Sequence, residues 1–409
     1  MQRDVGRLEE HRARSRPMVA WLLRRYVQRM LRHADLGRLI LTLPDGGRID
    51  HRGSRPGPEA KLAVNRWSTL ARVVVGGSNG FAEAYMDGFW SSPDLATLLE
   101  WFDRNGSALE ATTDGPLLAR VADRLRHSLR SNTRRNSRRN IAAHYDLGNA
   151  FYAAWLDPSM SYSSGIYADA RSSLEEAQAA KIARVCELLE LQPGQTALEI
   201  GCGWGGVMEA AAARRVAITG LTLSHEQKAF AEARLSRTAP GAAWEVRLQD
   251  YRDVAGSYDR IVSIEMLEAV GEAYWPTYFA QLHDRLVPGG VAVVQVITIA
   301  ADRYAAYRHR PDFIQRYIFP GGMLPTADIV ADQGRAAGLV LSRREDFGLS
   351  YADTLRDWRM RFLAAWPRIA LLGFDPHFKR MWEYYLAYCE AGFRDGAIDV
   401  HLFQFRRPG

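Results

Sequence analysis

From about residue 180 onward the chain alternates between two hydrophobic rhythms. Short apolar runs over 196–200, 217–223, 244–248, 258–264 and 290–297 read as strands. Between them, apolar positions recur at helical spacing near 174–191, from 206, from 224 and over 275–286. Strands alternating with helices, with strands apolar on both faces, predict a doubly wound α/β domain built on a parallel sheet. Ligands of such sheets bind beyond the carboxyl ends of the strands, so the residues that close each apolar run carry the functional information.

The first third has a different rhythm. Over 17–33, Met18, Trp21, Leu22, Tyr26 and Met30 lie at helical spacing among arginines, which predicts an amphipathic helix. Packing against its own domain is the plainer role for such a stripe, and lying on a membrane surface is the alternative. Stretches 39–43 and 70–75 read as strands, with a turn at Asp45-Gly46-Gly47 after the first. Helices are expected over 81–90 and 94–102, the second capped by Ser91, Ser92 or Asp94 with Pro93 near its start. These elements make a smaller α+β N-terminal domain, and the chain shows no internal repeat.

Composition agrees with more than one domain. The 409 residues are 47% hydrophobic and 24% charged, enough to bury a core and unlike a disordered chain. No apolar run is long enough to span a bilayer; the longest, 291–301, is interrupted by Gln295. Cys186, Cys202 and Cys389 are too few and scattered for a disulfide framework or a zinc site, which fits a reducing, cytoplasmic compartment. The N-terminus carries arginines around a very short apolar patch and no small-residue cleavage site, so no secretory signal is expected.

Charge is unevenly spread. Residues 1–140 carry 25 Lys+Arg against 15 Asp+Glu, a net of +10, and the rest carry 28 against 32, a net of −4. Eight arginines fall between Arg120 and Arg139, with Asp123 the single acid. We divide the chain into a domain over 1–118, an Arg-rich linker over 119–140 and a second domain over 141–409. The linker suits a solvated hinge, an anionic lipid surface or a nucleic acid. No zinc-finger, RNA-recognition or basic-zipper pattern accompanies it, which argues against nucleic acid.

The strand ends supply the chemistry. The run 196–200 leads into Gly201-Cys202-Gly203-Trp204-Gly205-Gly206, glycines that let the backbone turn sharply and a ligand approach it closely. This is neither a dinucleotide fingerprint nor a P-loop, and no basic residue awaits a phosphate. The turn suits a ligand whose charged end is an amino acid, such as S-adenosylmethionine. Thr222 and Gln227 follow the second strand, where an acid would more often meet a ribose; Gln249 and Asp250 follow the third. Glu265 closes the fourth and is a site candidate, with a structural role equally open.

Taken together, NIAAHYDLGNAFYAAWLDPSMSYSSGIY (140–167), LEIGCGWGG (198–206), GLTLSHEQ (220–227), LQDYRD (248–253), DRIVSIEMLEAVG (259–271), YIFPGGMLP (317–325) and RFLAAWP (361–367) resemble the cyclopropane fatty acid synthases and mycolic acid methyltransferases. They occur in family order over nearly two thirds of the chain. FAEAYMDGFW (81–90) is more loosely similar to the N-terminal domain of the long bacterial synthases.

The resemblance implies a methyltransferase sheet with helical lid insertions around an acyl-chain tunnel. It implies transfer of a methylene from S-adenosylmethionine to a cis double bond of a phospholipid acyl chain, or, as the alternative, C-methylation giving methyl- or methylene-branched chains. An alkene is a weak nucleophile, so the reaction needs tight alignment in a water-poor site. It also needs aromatic faces for the carbocation, for which Tyr145, Tyr317, Phe319, Tyr351, Trp358 and Phe362 are candidates. Finally it needs a base for the transferred methyl.

In the family the base is a bicarbonate held by Cys, Glu, His, a backbone group beside that His, and Tyr. Position by position, the resemblance assigns Glu268, the Ile297 backbone and Tyr351, while Ser164 replaces the Cys and Gln295 the His; Ala269 also stands where His is frequent. Cofactor contacts are implied for Tyr162, Ser163, Gly201, Gly203, Thr222, Leu223, Gln227, Gln249, Asp250 and Ile264. No metal is called for. The implied partners are unsaturated phospholipid acyl chains and an anionic membrane surface, with the protein peripheral on the inner face of the membrane; a homodimer stays open.

Overall fold

The computed structural model describes residue 21, residues 24–106, residue 109 and residues 147–409. The Arg-rich linker, Tyr145, Met18 and Leu22 lie outside the described residues. The chain divides into two compact units, 1–121 with 376–391, and 122–375 with 392–409. The sequence reading ran the second domain unbroken from 141 to 409. Most of the helix Pro376–Asp395 instead groups with the first unit, because its inward side chains meet rings there, as Tyr384 meets Tyr85 at 5.7 Å.

In the first unit, β1 (Leu36–Thr42), β2 (Arg48–Arg52), β3 (Arg55–Val64) and β4 (Trp90–Ser91) form a sheet in the order β2-β1-β3-β4. The expected turn is present: Gly46 has φ 81°, and Asp45 Oδ1 accepts from Gly47 N at 2.9 Å, closing the β1–β2 hairpin. The stretch 70–75 is a correction, since it lies in the helix Ser68–Met86. Its β-branched run suggested a strand, yet Val74 and Val75 are exposed and β3 takes the place beside β1.

β3 escaped the sequence reading because Pro56 and Pro58 head it. Both fall in a register shift between Arg55 and Glu59, after which Ala60, Leu62 and Val64 are buried alternately. The helix expected over 81–90 stops at Met86, a second correction, and Trp90 enters β4. Trp90 is buried, stacked on Phe81 at 4.1 Å with its indole N–H donating to the Phe81 carbonyl, so the loop folds the indole back under the helix. The following helix is Leu95–Arg104, with Asp94 accepting from Thr97 N as its cap. Of the amphipathic stripe, residues 24–31 are helical and bury Val27 and Leu31.

The second unit holds β5 (Thr196–Ile200), β6 (Ala217–Thr222), β7 (Trp244–Leu248), β8 (Tyr258–Ile264), β9 (Leu286–Ile299), β10 (Val340–Asp346) and β11 (Ile398–Arg406) in the order β10-β11-β9-β8-β5-β6-β7. β5 through β9 are mutually parallel, as expected. The sheet as a whole is mixed, which corrects the all-parallel expectation, because β11 runs antiparallel to both β9 and β10. Both faces are covered. On β9, Val294 and Val296 join one core layer with Trp275, Tyr278 and Phe279, and Val293 joins the opposite layer with Val185, Leu188 and Leu402. Chain inserted after β9 supplies the helices Ala301–His309, Ala327–Ala336 and Gly348–Ala370.

Candidate active site

The carboxyl ends of β5, β8 and β9 open toward one group of side chains. Between β5 and the helix Gly206–Ala213, Gly201, Gly203 and Gly205 have φ of 83°, 51° and 85°, a left-handed path that only glycine follows without cost. Gly201 N and Cys202 N both donate to the Leu221 carbonyl, which pins the turn to β6. A side chain at Gly203 would meet nothing within 4 Å, so the backbone there is open to a ligand.

At the last turn of β5, Glu199 is 3% exposed and its Oε2 has no hydrogen-bond partner among the described residues. An open glycine turn beside a buried acceptor fits the ammonium group at the amino-acid end of S-adenosylmethionine. Burial pushes the Glu199 carboxyl up to about 8, against the pull of the nearby Lys181 ammonium. The folded state therefore keeps a proton that the unfolded chain releases from about 4.5 upward. Stability from this group is complete below that value and is lost as pH rises toward about 8. Glu199→Gln is expected to flatten part of this decline; urea melts of the ligand-free protein from acid to mildly alkaline pH measure it.

The predicted cofactor contacts fall in several settings. Tyr162 packs among Tyr152, Trp155 and Trp358. Ser163 is buried, its Oγ accepting from Lys181 Nζ at 2.7 Å and its carbonyl from Gln178 Nε2 at 2.8 Å. Thr222 Oγ1 donates to Gln227 Oε1 at 2.8 Å, tying the end of β6 to the following helix, with Leu223 between them. Ile264 is the last residue of β8 and pairs with Gln295 on β9. Gln249 and Asp250 are already engaged: Gln249 Nε2 donates to the Asp253 carbonyl, and Arg252 donates to both Asp250 oxygens at 2.8 and 2.6 Å.

The predicted catalytic set splits around two carboxylates. Glu265, which the resemblance leaves unassigned, is the hub of the larger part. Its Oε1 accepts from Ser164 N at 2.9 Å and Gln295 Nε2 at 2.7 Å, and its Oε2 accepts from Tyr351 Oη at 2.6 Å. Ser164 contributes its backbone N–H to Glu265, while its hydroxyl donates to the Gly165 carbonyl at 2.8 Å. Glu265 also sits at φ 49°, a left-handed conformation that costs a non-glycine residue roughly 1–2 kcal/mol. The β9 backbone helps to hold it there, because Glu265 N donates to the Gln295 carbonyl.

Glu268 forms the smaller part. Its Oε1 accepts from Ile297 N at 2.5 Å, and its Oε2 is buried without a partner among the described residues. Burial and then the neighbouring Glu265 carboxylate push Glu268 up to about 8. Burial also raises Glu265, but Tyr351, Ser164, Lys181 and Gln295 all oppose that rise. Two close carboxyls with such different partners are set apart: hydrogen bonds and the Lys181 charge favour the ionised form of Glu265, whereas burial and the Glu265 carboxylate favour the protonated form of Glu268.

An aromatic wall joins the two ends of the site. Trp204 of the glycine turn contacts Tyr152 at 5.1 Å, Tyr152 contacts Tyr162 at 5.3 Å, Tyr162 contacts Trp358 at 5.3 Å, and Trp358 contacts Tyr351 at 6.1 Å. Of the aromatic candidates, Tyr351, Trp358 and Phe362 lie on the helix Gly348–Ala370 and are buried. Tyr317 packs on Phe313 at 5.3 Å in a turn that ends at Phe319. The sequence reading missed Lys181, Tyr152, Trp155 and Trp204. A lysine set between alanines and Ile182 in the helix Leu174–Leu188 was the available signal for the first.

Comparison with known proteins gives concordant results. A sequence model of the family described as Mycolic acid cyclopropane synthetase matches residues 132–403. The chain is 42% identical to Tuberculostearic acid methyltransferase UfaA1 of Mycobacterium tuberculosis over 85% of this chain and 83% of that protein. It is 38% identical to Cyclopropane-fatty-acyl-phospholipid synthase of Escherichia coli over 86% and 88%. Among solved structures, the cyclopropane synthase MmaA2 from Mycobacterium tuberculosis superposes with TM-score 0.63 at 33% identity, covering 66% of this chain and 98% of that one. Mycolic acid cyclopropane synthase CmaA1, complexed with SAH and CTAB, gives TM-score 0.62 at 32% identity with the same coverage.

Proposed function

The chain belongs to the mycolic acid cyclopropane synthetase family, and from that premise we propose that it transfers a methylene from S-adenosylmethionine to the cis double bond of unsaturated phospholipid acyl chains. When bound, S-adenosylmethionine supplies an electrophilic sulfonium methyl. The glycine turn and Glu199 would hold its amino-acid end, and Thr222 and Gln227 its ribose. The observation that carries the reading is the continuous line of rings from Trp204 to Tyr351, ending on the Glu265 carboxylate. Ring faces stabilise a cation on the acyl chain and keep water from quenching it, and a carboxylate at the end of the line takes the proton.

A second reading, transfer that leaves a branched chain, is favoured by the 42% identity to a tuberculostearic acid methyltransferase. If a hydride shift precedes proton loss from the methyl, a methylene branch results. If the proton leaves the acyl chain instead, a methyl branch and a displaced double bond result.

The substrate is bilayer-bound, and among the described residues no helix is long and apolar enough to cross a membrane. The net +10 of residues 1–140 supports attachment to an anionic inner face, each basic group near the surface contributing about 1 kcal/mol. The test is incubation with labelled S-adenosylmethionine and vesicles of monounsaturated anionic phospholipid. Label should appear in acyl chains heavier by one CH2, with cyclopropane protons in the NMR spectrum of the product. Label confined to water-soluble products overturns the reading, and olefinic methylene protons select the branched one.

A further inference from the structure

We propose that Glu265 is the base that removes the proton from the transferred methyl, so that the chain itself supplies this group and no added anion is required. The inference deepens the proposed function and rests on it. Three donors from three separate elements converge on this one carboxylate: Ser164 N ahead of the helix Leu174–Leu188, Gln295 Nε2 on β9, and Tyr351 Oη on the helix Gly348–Ala370. All three are neutral, so they orient the anion without taking its negative charge. Of the groups that resemblance would place around a bicarbonate, Gln295, Tyr351 and the Ser164 backbone are therefore already spent on Glu265 and the Ile297 N–H on Glu268, and a second anion against them would be repelled by the charge of Glu265.

The charged and titratable groups facing Glu265 point the same way. Lys181 favours its ionised form, Tyr351 donates to it, and Glu268 is the neighbouring acid that stays protonated. The left-handed backbone at Glu265 also marks a residue kept in place against its own preference. The step balances as follows. One olefin carbon bonds the methyl carbon while the carbon–sulfur bond breaks and leaves its electron pair on sulfur; the other olefin carbon becomes cationic. Glu265 accepts a proton from the new methyl group, and the freed C–H electron pair closes the second carbon–carbon bond. The neutral acid then returns its proton to solvent.

The full-length protein is assayed in buffer stripped of carbon dioxide, with and without added bicarbonate. Wild-type turnover is expected to change less than about twofold on adding bicarbonate, whereas Glu265→Gln falls at least about 100-fold and stays there. Glu265→Gly empties the cradle and should recover in part with bicarbonate or formate. Substrate-independent binding of carbon-13-labelled bicarbonate, followed by NMR in the presence of S-adenosylhomocysteine, should be absent in wild type and present in Glu265→Gly. Wild-type activity that requires bicarbonate, wild-type binding of the labelled anion, or a fully active Glu265→Gln overturns the assignment. A wild type that transfers nothing to lipid under either condition defeats the proposed function, while the labelled-anion experiment still decides whether Glu265 fills the cradle.

Discussion

Replacing Trp358 by Ala is expected to lower the stability of the second unit by about 3–5 kcal/mol, among the largest single effects in the molecule. Trp358 is fully buried on the helix Gly348–Ala370 and touches Trp155 at 5.6 Å, Tyr162 at 5.3 Å and Tyr351 at 6.1 Å. These neighbours are rigid rings held by further rings, so the space left by the indole cannot close easily, and the cavity contribution should be near the top of its range. In thermal melts this is a drop of roughly 10 °C for a unit of this size. The functional loss should separate from the structural one. Trp358→Phe keeps most of the volume and an aromatic face, so it should melt near wild type and retain more turnover than Trp358→Ala assayed well below its own melting point. If the alanine variant melts within a degree or two of wild type, Trp358 does not anchor the wall, and the ring line loses its central member.

Most of the sheet was legible because its strands are apolar on both faces and its helices are amphipathic. The runs over 196–200, 244–248 and 258–264 coincide with β5, β7 and β8. Where propensity and burial part company, the reading failed. Residues 70–75 form part of a helix despite three consecutive valines, and β3 is a strand despite two prolines. β10, with the sequence VLSRRED, is a largely exposed edge strand whose charges hide it from any hydrophobic pattern.

The candidate site divides in the same manner. Motif positions named Glu268, Gln295, Ile297 and Tyr351; the fold puts Gln295 and Tyr351 on Glu265 and the Ile297 N–H on Glu268. That Glu265 gathers Ser164, Gln295 and Tyr351 depends on a left-handed backbone angle and on contacts reaching across 101, 30 and 86 residues of chain. No local pattern encodes such convergence; only the tertiary fold does.

Lys181→Met should expose how the site keeps its base ionised. The Lys181 ammonium is buried on the helix Leu174–Leu188 and donates to Ser163 Oγ at 2.7 Å. Its charge lowers the proton affinity of both Glu265 and Glu199, while burial depresses its own. Without it, both carboxyls should hold their protons to higher pH, and a smaller fraction of Glu265 would be ionised at neutrality. The acid limb of the pH–rate profile for kcat is therefore expected to move upward, with turnover falling most at a pH below the limb. Raising the pH should restore most of the loss, because the base is made weaker to ionise and is not removed. Stability should respond differently: methionine matches the length of the lysine stem without a buried charge, so the variant should melt at or near the wild-type temperature. A purely structural role predicts the opposite pair of results, a lower melting temperature with an unmoved acid limb. A limb that stays in place while turnover falls equally at every pH would mean that Lys181 acts through Ser163 on the cofactor side, and that the charge on Glu265 is kept by its three hydrogen bonds alone.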